Sequence, residues 1–368
     1  MAASAAGHWK PIMDAAFSGD GARVLLQLSR GVPVDVRSPN AHRHTPLVRA
    51  VEWKKTIPRT AGHHAVADVL LAAGANPRLT GGVHRWTPLA HALMGDEADL
   101  VPLLLPHGPH DLAHTAMAYD THGVRVALRS KSTIVDARDE VGRTALHYLA
   151  ASGLHRRRGS AAALAIAALL LDAGADPNAA QTNLIEDGWV ATPLWWAVGW
   201  QEHRALAERL LAAGADPQAG FFAAAFDGDQ EMLALLLDHG ARVEHRVDGR
   251  TVLMDLMRFK RPRHVAFLLA RGADARAVDA NGETALHAGV RTGVRADVLA
   301  LLMAAGADPE KANAAGETPR SLAGALEREL PGERAVAGKT AGAPEVKRKA
   351  PAVRGKSAAV RRNGKKAK

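Results

Sequence analysis

Four histidines lie close enough together in the sequence to suggest a metal site. They are His107, His110, His114 and His122, and the first three have the spacing of ligands on one face of a helix. Neutral imidazoles are good zinc ligands. However, Gly108-Pro109 would interrupt that helix, and Asp111 is the only carboxylate fixed nearby. A solvated loop is the alternative that we favour, so we predict neither a metal nor a cofactor.

No catalytic motif accompanies these histidines. The sequence has no G-x-S-x-G, no H-E-x-x-H and no glycine-rich phosphate-binding loop. It also has no Cys, which excludes disulfides, thiolate metal sites and a Cys nucleophile. His147 and His287 both end the tetrapeptide Thr-Ala-Leu-His, and a phrase that recurs is usually architectural. We therefore predict that the protein is not an enzyme.

The recurring tetrapeptide belongs to a longer repeat. Related phrases begin at Thr45, Thr87, Thr192, Thr251 and Thr318. Apolar runs that end in Gly follow at positions 74, 174, 214, 240, 272 and 306. A Thr hydroxyl caps the first amides of a helix, Pro suits the first helical position, and Gly permits a left-handed helix end. For each unit, the pattern therefore predicts a helix, a tight turn, a second helix that ends at Gly, and an extended loop.

The length of the unit varies along the chain. The units start at residues 10, 45, 87, 111, 144, 192, 219, 251, 284 and 318, with a mean spacing near 34. The intervals 87–111 and 192–219 are short, which predicts that the hairpin after the Gly is missing there. The intervals 45–87 and 144–192 are long, and each has an insertion between its paired helices.

This pattern resembles the ankyrin repeat, which has a period of about 33 residues and the signature T-P-L-H-x-A. The resemblance covers residues 9–330, as about nine repeats and a C-terminal cap. It implies an all-α solenoid of stacked helix-turn-helix units with short β-hairpin loops, in which each unit contacts its neighbours. It also implies that His147 and His287 hydrogen-bond to neighbouring units. The function implied is binding of another protein on the concave face, by a monomer and without catalysis.

In this family, the hairpin tips and the exposed side of the first helices form the binding face. By register, we predict partner contacts for Trp86, Arg143, Trp189, Trp200, Arg250 and Glu283. Exposed Trp in such a surface is a usual binding hot spot. Trp196 falls at an inward position and is predicted to lie in the core, whereas Trp195 takes the His position and could face either way. The alternative is that these rings fill space left by the missing hairpin after Gly214.

The two insertions are basic. They contain Lys54, Lys55 and Arg59 in the first case and Arg156, Arg157 and Arg158 in the second. If both lie at helix–helix turns, they project from one edge of the stack and could meet an acidic partner. Solvated loops are the alternative, because exposed loops tend to be charged.

All of the excess positive charge lies at the end of the chain. The net charge is +9, but residues 331–368 hold twelve Lys or Arg and two Glu, which leaves 35 basic and 36 acidic residues elsewhere. This tail has almost no large apolar residues, so we predict that it is disordered and attracts polyanions, nucleic acid above all. The candidate residues are Lys347, Arg348, Lys349, Arg361, Arg362, Lys365 and Lys366. A solubilising tail without a partner is the alternative.

Targeting signals are few. No apolar run reaches the roughly 18 residues of a membrane span. The start, MAASAAGHWKPIMDAA, lacks the basic and apolar regions of a secretory signal. We predict a cytoplasmic protein, with a nuclear or nucleic-acid-associated protein as the alternative, since KRK and RRNGKK resemble nuclear-import signals.

Overall fold

Paired helices follow one another along the described chain. The computed structural model describes residues 9–52, 59–97, 99–130, 132–181, 191–226, 228–326, 328, 330 and 331. The first helices of the units are Trp9–Ser18, Pro46–Val51, Pro88–Gly95, Leu112–Met117, Ala145–Ala151, Pro193–Trp195, Gln218–Phe226, Val252–Arg258, Ala285–Thr292 and Pro319–Ala325. The second helices are Gly21–Ser29, Ala61–Ala72, Leu100–Leu104, Thr121–Arg129, Ala161–Asp172, Arg204–Ala212, Gln230–Asp238, Val265–Ala270 and Ala296–Ala304. Shorter helical segments are His155–Arg158, the π-helix Trp196–Trp200 and the 3₁₀ turn Pro262–His264.

The first helices begin where the repeated phrase predicts. Thr45 and Thr87 cap helices whose first residue is Pro, and the Thr45 hydroxyl accepts a hydrogen bond from Val48 N at 3.2 Å. In unit four, which lacks Thr-Pro, the Asp111 carboxylate takes this role and accepts from His114 N at 2.9 Å. The predicted start of unit four is therefore confirmed, and the structure adds that Asp111 caps its first helix.

The second helices end at glycines in the left-handed conformation. The φ angle is +86° at Gly74 and +97° at Gly306. Gly74 N donates to Leu71 O at 2.9 Å and closes the end of the helix. A residue with a Cβ would be strained in this conformation, which is why the phrase ends in Gly.

The loops between units differ as the spacing predicts. Strands Arg246–Val247 and Arg250–Thr251 form an antiparallel hairpin in front of unit eight, and a single bridge pairs Gly81 with Trp86. Residues 105–111 and 213–217, all of them described, contain no strand. The loop at the end of the regular interval 251–284 also lacks a strand, but Asp279 N donates to Glu283 O at 2.9 Å and closes this loop. Residues 105–111 and 213–217 contain no such bond, which confirms the predicted loss of the hairpin there.

Small and aliphatic side chains fill the space between the helices. Leu47, Leu146 and Leu286 occupy the same position in their first helices, and each is at most 1% exposed. Burial of such side chains is the main favourable term in folding. Within the part of the chain that the structure describes, each helix is too short or too polar to cross a bilayer.

Units three, five and six touch one another directly, so the expectation that contacts run only between neighbours is wrong. Gly153 N, just after the first helix of unit five, donates to Leu93 O of unit three at 2.9 Å. In unit six, Trp200 Nε1 lies 3.2 Å from Met94 Sδ. A Cβ at Gly153 would collide with the Met94 carbonyl. Unit three can approach these units because no hairpin stands in front of the first helix of unit four, Leu112–Met117.

Candidate functional site

The two histidines of the repeated tetrapeptide are structural. Thr144 N donates to His147 Nδ1 at 3.1 Å, and His147 Nε2 donates to Ala191 O, at the start of the next unit, at 3.3 Å. The His287 ring bonds to Glu317 O of its next unit in the same way, at 3.2 Å. The predicted hydrogen bonds to neighbouring units are confirmed.

The histidine-rich segment contributes to packing between units three and four. His114 Nε2 lies 2.9 Å from Thr87 Oγ1, and His114 Nδ1 lies 2.8 Å from Asp111 Oδ1, so both ring nitrogens have protein partners. His107 and His110 are exposed. Among the described residues, no group of three His, Asp or Glu is placed to hold a metal ion.

Arg143 is buried where units three and five meet. Its Nε donates to Asp139 Oδ2 at 2.7 Å, and its two terminal nitrogens donate to His84 O at 2.9 Å and Arg85 O at 3.0 Å. Its guanidinium carbon lies 3.3 Å from the centroid of the Trp86 ring, which is fully buried. The predicted partner contacts of Arg143 and Trp86 are therefore wrong, because contacts inside the protein cover both side chains.

Trp86 also packs against rings from units five and six. Its centroid is 4.8 Å from that of Tyr148 and 5.5 Å from that of Trp196, and both contacts are edge-on. Trp196 is 1% exposed, which confirms its predicted core position, and its Nε1 donates to Gln181 Oε1 at 3.1 Å. We call Trp86, Tyr148 and Trp196 the aromatic cluster. It joins units that are not neighbours in the sequence.

A π-helical turn sets the direction of the remaining Trp side chains in unit six. In the π-helix Trp196–Trp200, Gln201 N donates to Trp196 O at 3.2 Å. Bonding between residues five apart brings residues with that spacing toward one face of the helix. Trp195 and Trp200 accordingly line the same groove. Trp195 therefore faces away from the core side that Trp196 occupies.

This groove crosses the first helices of units six, seven and eight and the hairpin of unit eight, and we call it the aromatic groove. Its volume is about 750 Å³. Its apolar wall is formed mainly by Trp195, Trp200, Phe226 and Phe259. The rings of Phe226 and Phe259 have centroids 5.6 Å apart, and Phe259 is 57% exposed. Three consecutive units thus contribute aromatic rings to the groove, of which Trp195, Trp200 and Phe226 are half-buried and Phe259 is exposed.

The other side of the aromatic groove is charged. Arg250 Nε donates to Asp255 Oδ1 at 2.7 Å, and Asp255 is 2% exposed. Burial raises the pKa of Asp255 above its ordinary value, and the ion pair with Arg250 opposes that rise. Arg258 and Arg261 are exposed at the rim, and so is Asp248.

The remaining predicted contact residues do not join this groove. Trp200 and Arg250 come together in it, but Glu283 lies elsewhere, paired with Arg291 Nη2 at 2.5 Å. Some of the predicted binding residues are not among those that the structure describes. They are Trp189, Lys54, Lys55 and all seven candidates in the tail.

The two basic insertions differ in their exposure. Arg59 is only 8% exposed, donates to Glu52 O and lies 5.7 Å from the centroid of the Phe17 ring. Its predicted place in an exposed basic loop is wrong, because the side chain folds back against units one and two. The three arginines of the helix His155–Arg158 are exposed, and their role in binding stays a prediction.

Register reasoning missed most of the groove's aromatic wall. Trp200 and Phe259 both stand eight residues after the Thr that caps their helix, Thr192 and Thr251 respectively. The argument that selected Trp200 could therefore have selected Phe259. No such signal marks Phe226, because its unit lacks the Thr from which the register is counted.

Because three histidines are buried, we predict that the protein loses stability in acid. Burial lowers the pKa of His91 and His147 to about 4 and that of His203 to about 3, from 6.5. As the pH falls, these histidines bind protons in the unfolded chain before they do so in the folded protein. Their contribution to the free energy of unfolding is therefore complete above pH 6.5 and is lost as the pH falls toward 4. Each group contributes on the order of 1–3 kcal/mol, as urea unfolding across this range would measure.

A histidine variant separates this effect from general acid unfolding. His203→Gln should flatten the pH profile, whereas the same change at exposed His110 should leave its shape unaltered. A free energy of unfolding that stays constant between pH 6.5 and 4 would contradict the assignment of neutral, buried rings.

Stacked helix pairs with capped first helices, Gly ends and short hairpins define an α-helical repeat solenoid. A family model described as "Ankyrin repeats (3 copies)" matches residues 221–313, and one described as "Ankyrin repeat" matches residues 141–182. These two segments of the chain belong to the ankyrin repeat family. The count of nine repeats stays a prediction.

Solved ankyrin repeat structures are similar to this chain. The human ASB11 ankyrin repeat domain has a TM-score of 0.46 and 25% identity, and the match covers 57% of this chain and 90% of that one. The ankyrin repeat domain of Bcl-3, a member of the IkappaB family, has a TM-score of 0.45 and 24% identity, and the match covers 59% of this chain and 97% of that one. No curated protein sequence matches the chain significantly. Ankyrin repeats are generally protein–protein interaction modules.

Proposed function

We propose that this protein binds another protein through the aromatic groove and its rim. The observation that carries the proposal is a groove lined by half-buried rings from units six and seven and by Phe259 of unit eight, which is 57% exposed. Aromatic and Arg side chains are the residues that are enriched in interface cores and hot spots. Trp200 and Arg250 are the predicted contact residues that fit this surface.

Recognition by this groove needs no covalent chemistry. The first helices hold the rings in place before a partner arrives, which reduces the entropy lost on binding. Trp200 is further oriented by its contact with Met94, and Arg250 by its ion pair with Asp255. We therefore assign the binding energy to a few oriented side chains, and we assign no catalytic role to any residue.

A pulldown from native lysate with paired variants tests this proposal. Phe259→Ala and Arg258→Glu change exposed groove residues without removing a buried contact. Their matched controls are Leu25→Ala and Arg125→Glu, which are exposed on second helices. Loss of a hot spot worth about 2 kcal/mol would lower recovery of a groove-bound partner more than about tenfold.

Recovery of the partner must also be unaffected by nuclease, so that a nucleic acid does not bridge the two proteins. A partner that both groove variants lose, both controls keep and nuclease does not release would support the proposal. Equal recovery by groove variants and controls would show that binding, if any, uses another surface.

A second candidate function rests on the charge of the tail. Residues 331–368 carry ten net positive charges, which would release counterions from a nucleic acid and make binding strongly salt-dependent. In this alternative the tail, as a segment separate from the repeats of residues 9–330, grips DNA or RNA while the repeats recruit a protein. Changing its seven predicted binding residues to Gln lowers the net charge of the tail from +10 to +3 and should greatly reduce salt-dependent binding to duplex DNA. The compartment, cytoplasmic or nuclear, stays a prediction.

A further inference from the structure

The Phe259 end of the aromatic groove carries mainly positive charge. The run Arg258-Phe259-Lys260-Arg261-Pro262-Arg263 ends the first helix of unit eight and leads into the 3₁₀ turn before the second helix. No Asp or Glu occurs between Asp255 and Asp274. The four basic residues of this run are exposed, and Phe259 stands among them.

The carboxylates of the groove offset little of this charge. Asp255 is buried and already paired with Arg250 at 2.7 Å. Asp248 is exposed, but it lies 3.7 Å from Arg250 Nη2 and on the hairpin side of the groove. A partner approaching the Phe259 side therefore meets a positive field next to an apolar wall. Such a field favours and accelerates association with a negatively charged segment.

The shape and the mixed charge favour a peptide over a single nucleic acid strand. A groove of about 750 Å³ holds a few large side chains, which suits a short segment with one or two apolar anchors. Single-stranded nucleic acid is bound by grooves that are positive along the whole backbone path. Of the residues that line this groove, the exposed arginines Arg258 and Arg261 lie at the Phe259 end, whereas Asp248 is exposed on the hairpin side. The groove therefore offers no continuous positive path for a nucleic acid backbone.

We infer that the aromatic groove binds an acidic segment of a partner protein, in which Asp and Glu flank a large aromatic or aliphatic side chain. This inference rests on the proposed function and adds the chemistry of the partner to it. The anchor side chain packs against Phe226 and Phe259, whose rings meet edge-on at the exposed end of the groove. The flanking carboxylates face the exposed Arg258 at the rim.

Selection from a random peptide display library on the full chain tests this inference. Peptides that bind the wild-type chain are counter-selected on Phe259→Ala, and the survivors are sequenced. We expect survivors with a large apolar residue and a clear excess of Asp and Glu. Synthetic copies should lose affinity by at least about tenfold on Arg258→Glu, and they should keep it on the exposed control Arg125→Glu.

The possible failures are distinguishable. Survivors that are neutral or basic would overturn the acidic chemistry and leave groove binding intact. Peptides that bind Phe259→Ala as well as the wild type, or a library that yields none, would overturn both this inference and the proposed surface. Labelled oligo-dT that binds the wild type but not Phe259→Ala would replace the peptide with a nucleic acid strand.

Discussion

Replacing Arg143 with Met lowers the free energy of unfolding by about 3–5 kcal/mol, because it breaks a buried ion pair and leaves charged and polar partners behind. Arg143 is 1% exposed and holds Asp139 at 2.7 Å. The carbonyls of His84 and Arg85 would lose their donors at the same time. Met fills much of the space that the aliphatic part of the Arg143 side chain occupies. The lower free energy of unfolding therefore reflects the missing charge and hydrogen bonds rather than a cavity.

Urea unfolding followed by circular dichroism measures this loss. The control Arg125→Met removes an exposed arginine and should change stability by no more than about 0.5 kcal/mol. Asp139→Asn should also destabilise, because Arg143 would then be the uncompensated buried charge. If Arg143→Met were as stable as the control, the contact between units three and five would not hold in solution.

Trp86→Ala produces a loss of similar size, about 3–5 kcal/mol, for a different reason. It removes the central ring of the aromatic cluster, which contacts Tyr148, Trp196 and the Arg143 guanidinium. Because these partners belong to units five and six, the loss should spread beyond unit three. We expect faster amide exchange in the helices Ala145–Ala151 and Pro193–Trp195 as well as in Pro88–Gly95.

Trp86→Phe is the matched variant. The Nε1 of Trp86 has no hydrogen-bond partner among the described residues, so Phe keeps the aromatic packing and loses little else. Trp86→Phe should therefore keep more than half of the free energy of unfolding that Trp86→Ala loses. Faster exchange confined to unit three in Trp86→Ala would mean that each unit depends only on its neighbours.

Both predictions follow from the reduced fourth unit. In a regular repeat array, each unit contacts only the next, and stability is close to a sum of neighbouring terms. Here unit four lacks the hairpin in front of its first helix, and Gly153 and Trp200 reach unit three. Units three to six should therefore unfold together, whereas the later units can open separately.

The helix starts and ends could be predicted from the sequence alone. A Thr or Asp that caps a helix acts through amides two or three residues away, as Thr45 does with Val48 and Asp111 with His114. The Gly ends are equally local, since Gly74 supplies a left-handed φ of +86°. Interactions of this kind are encoded in a few consecutive residues, so a single sequence suffices to locate them.

Which aromatic side chains face the solvent was decided only by the tertiary structure. Trp86 and Phe259 both lie just outside the ends of first helices, Trp86 before Pro88–Gly95 and Phe259 after Val252–Arg258. Trp86 is nevertheless fully buried, whereas Phe259 is 57% exposed. The difference comes from Arg143, Tyr148 and Trp196, which reach Trp86 from units five and six. Their approach depends on the missing hairpin of unit four. The sequence determined the repeating unit, because its signals are local, and the packing between distant units determined the surface.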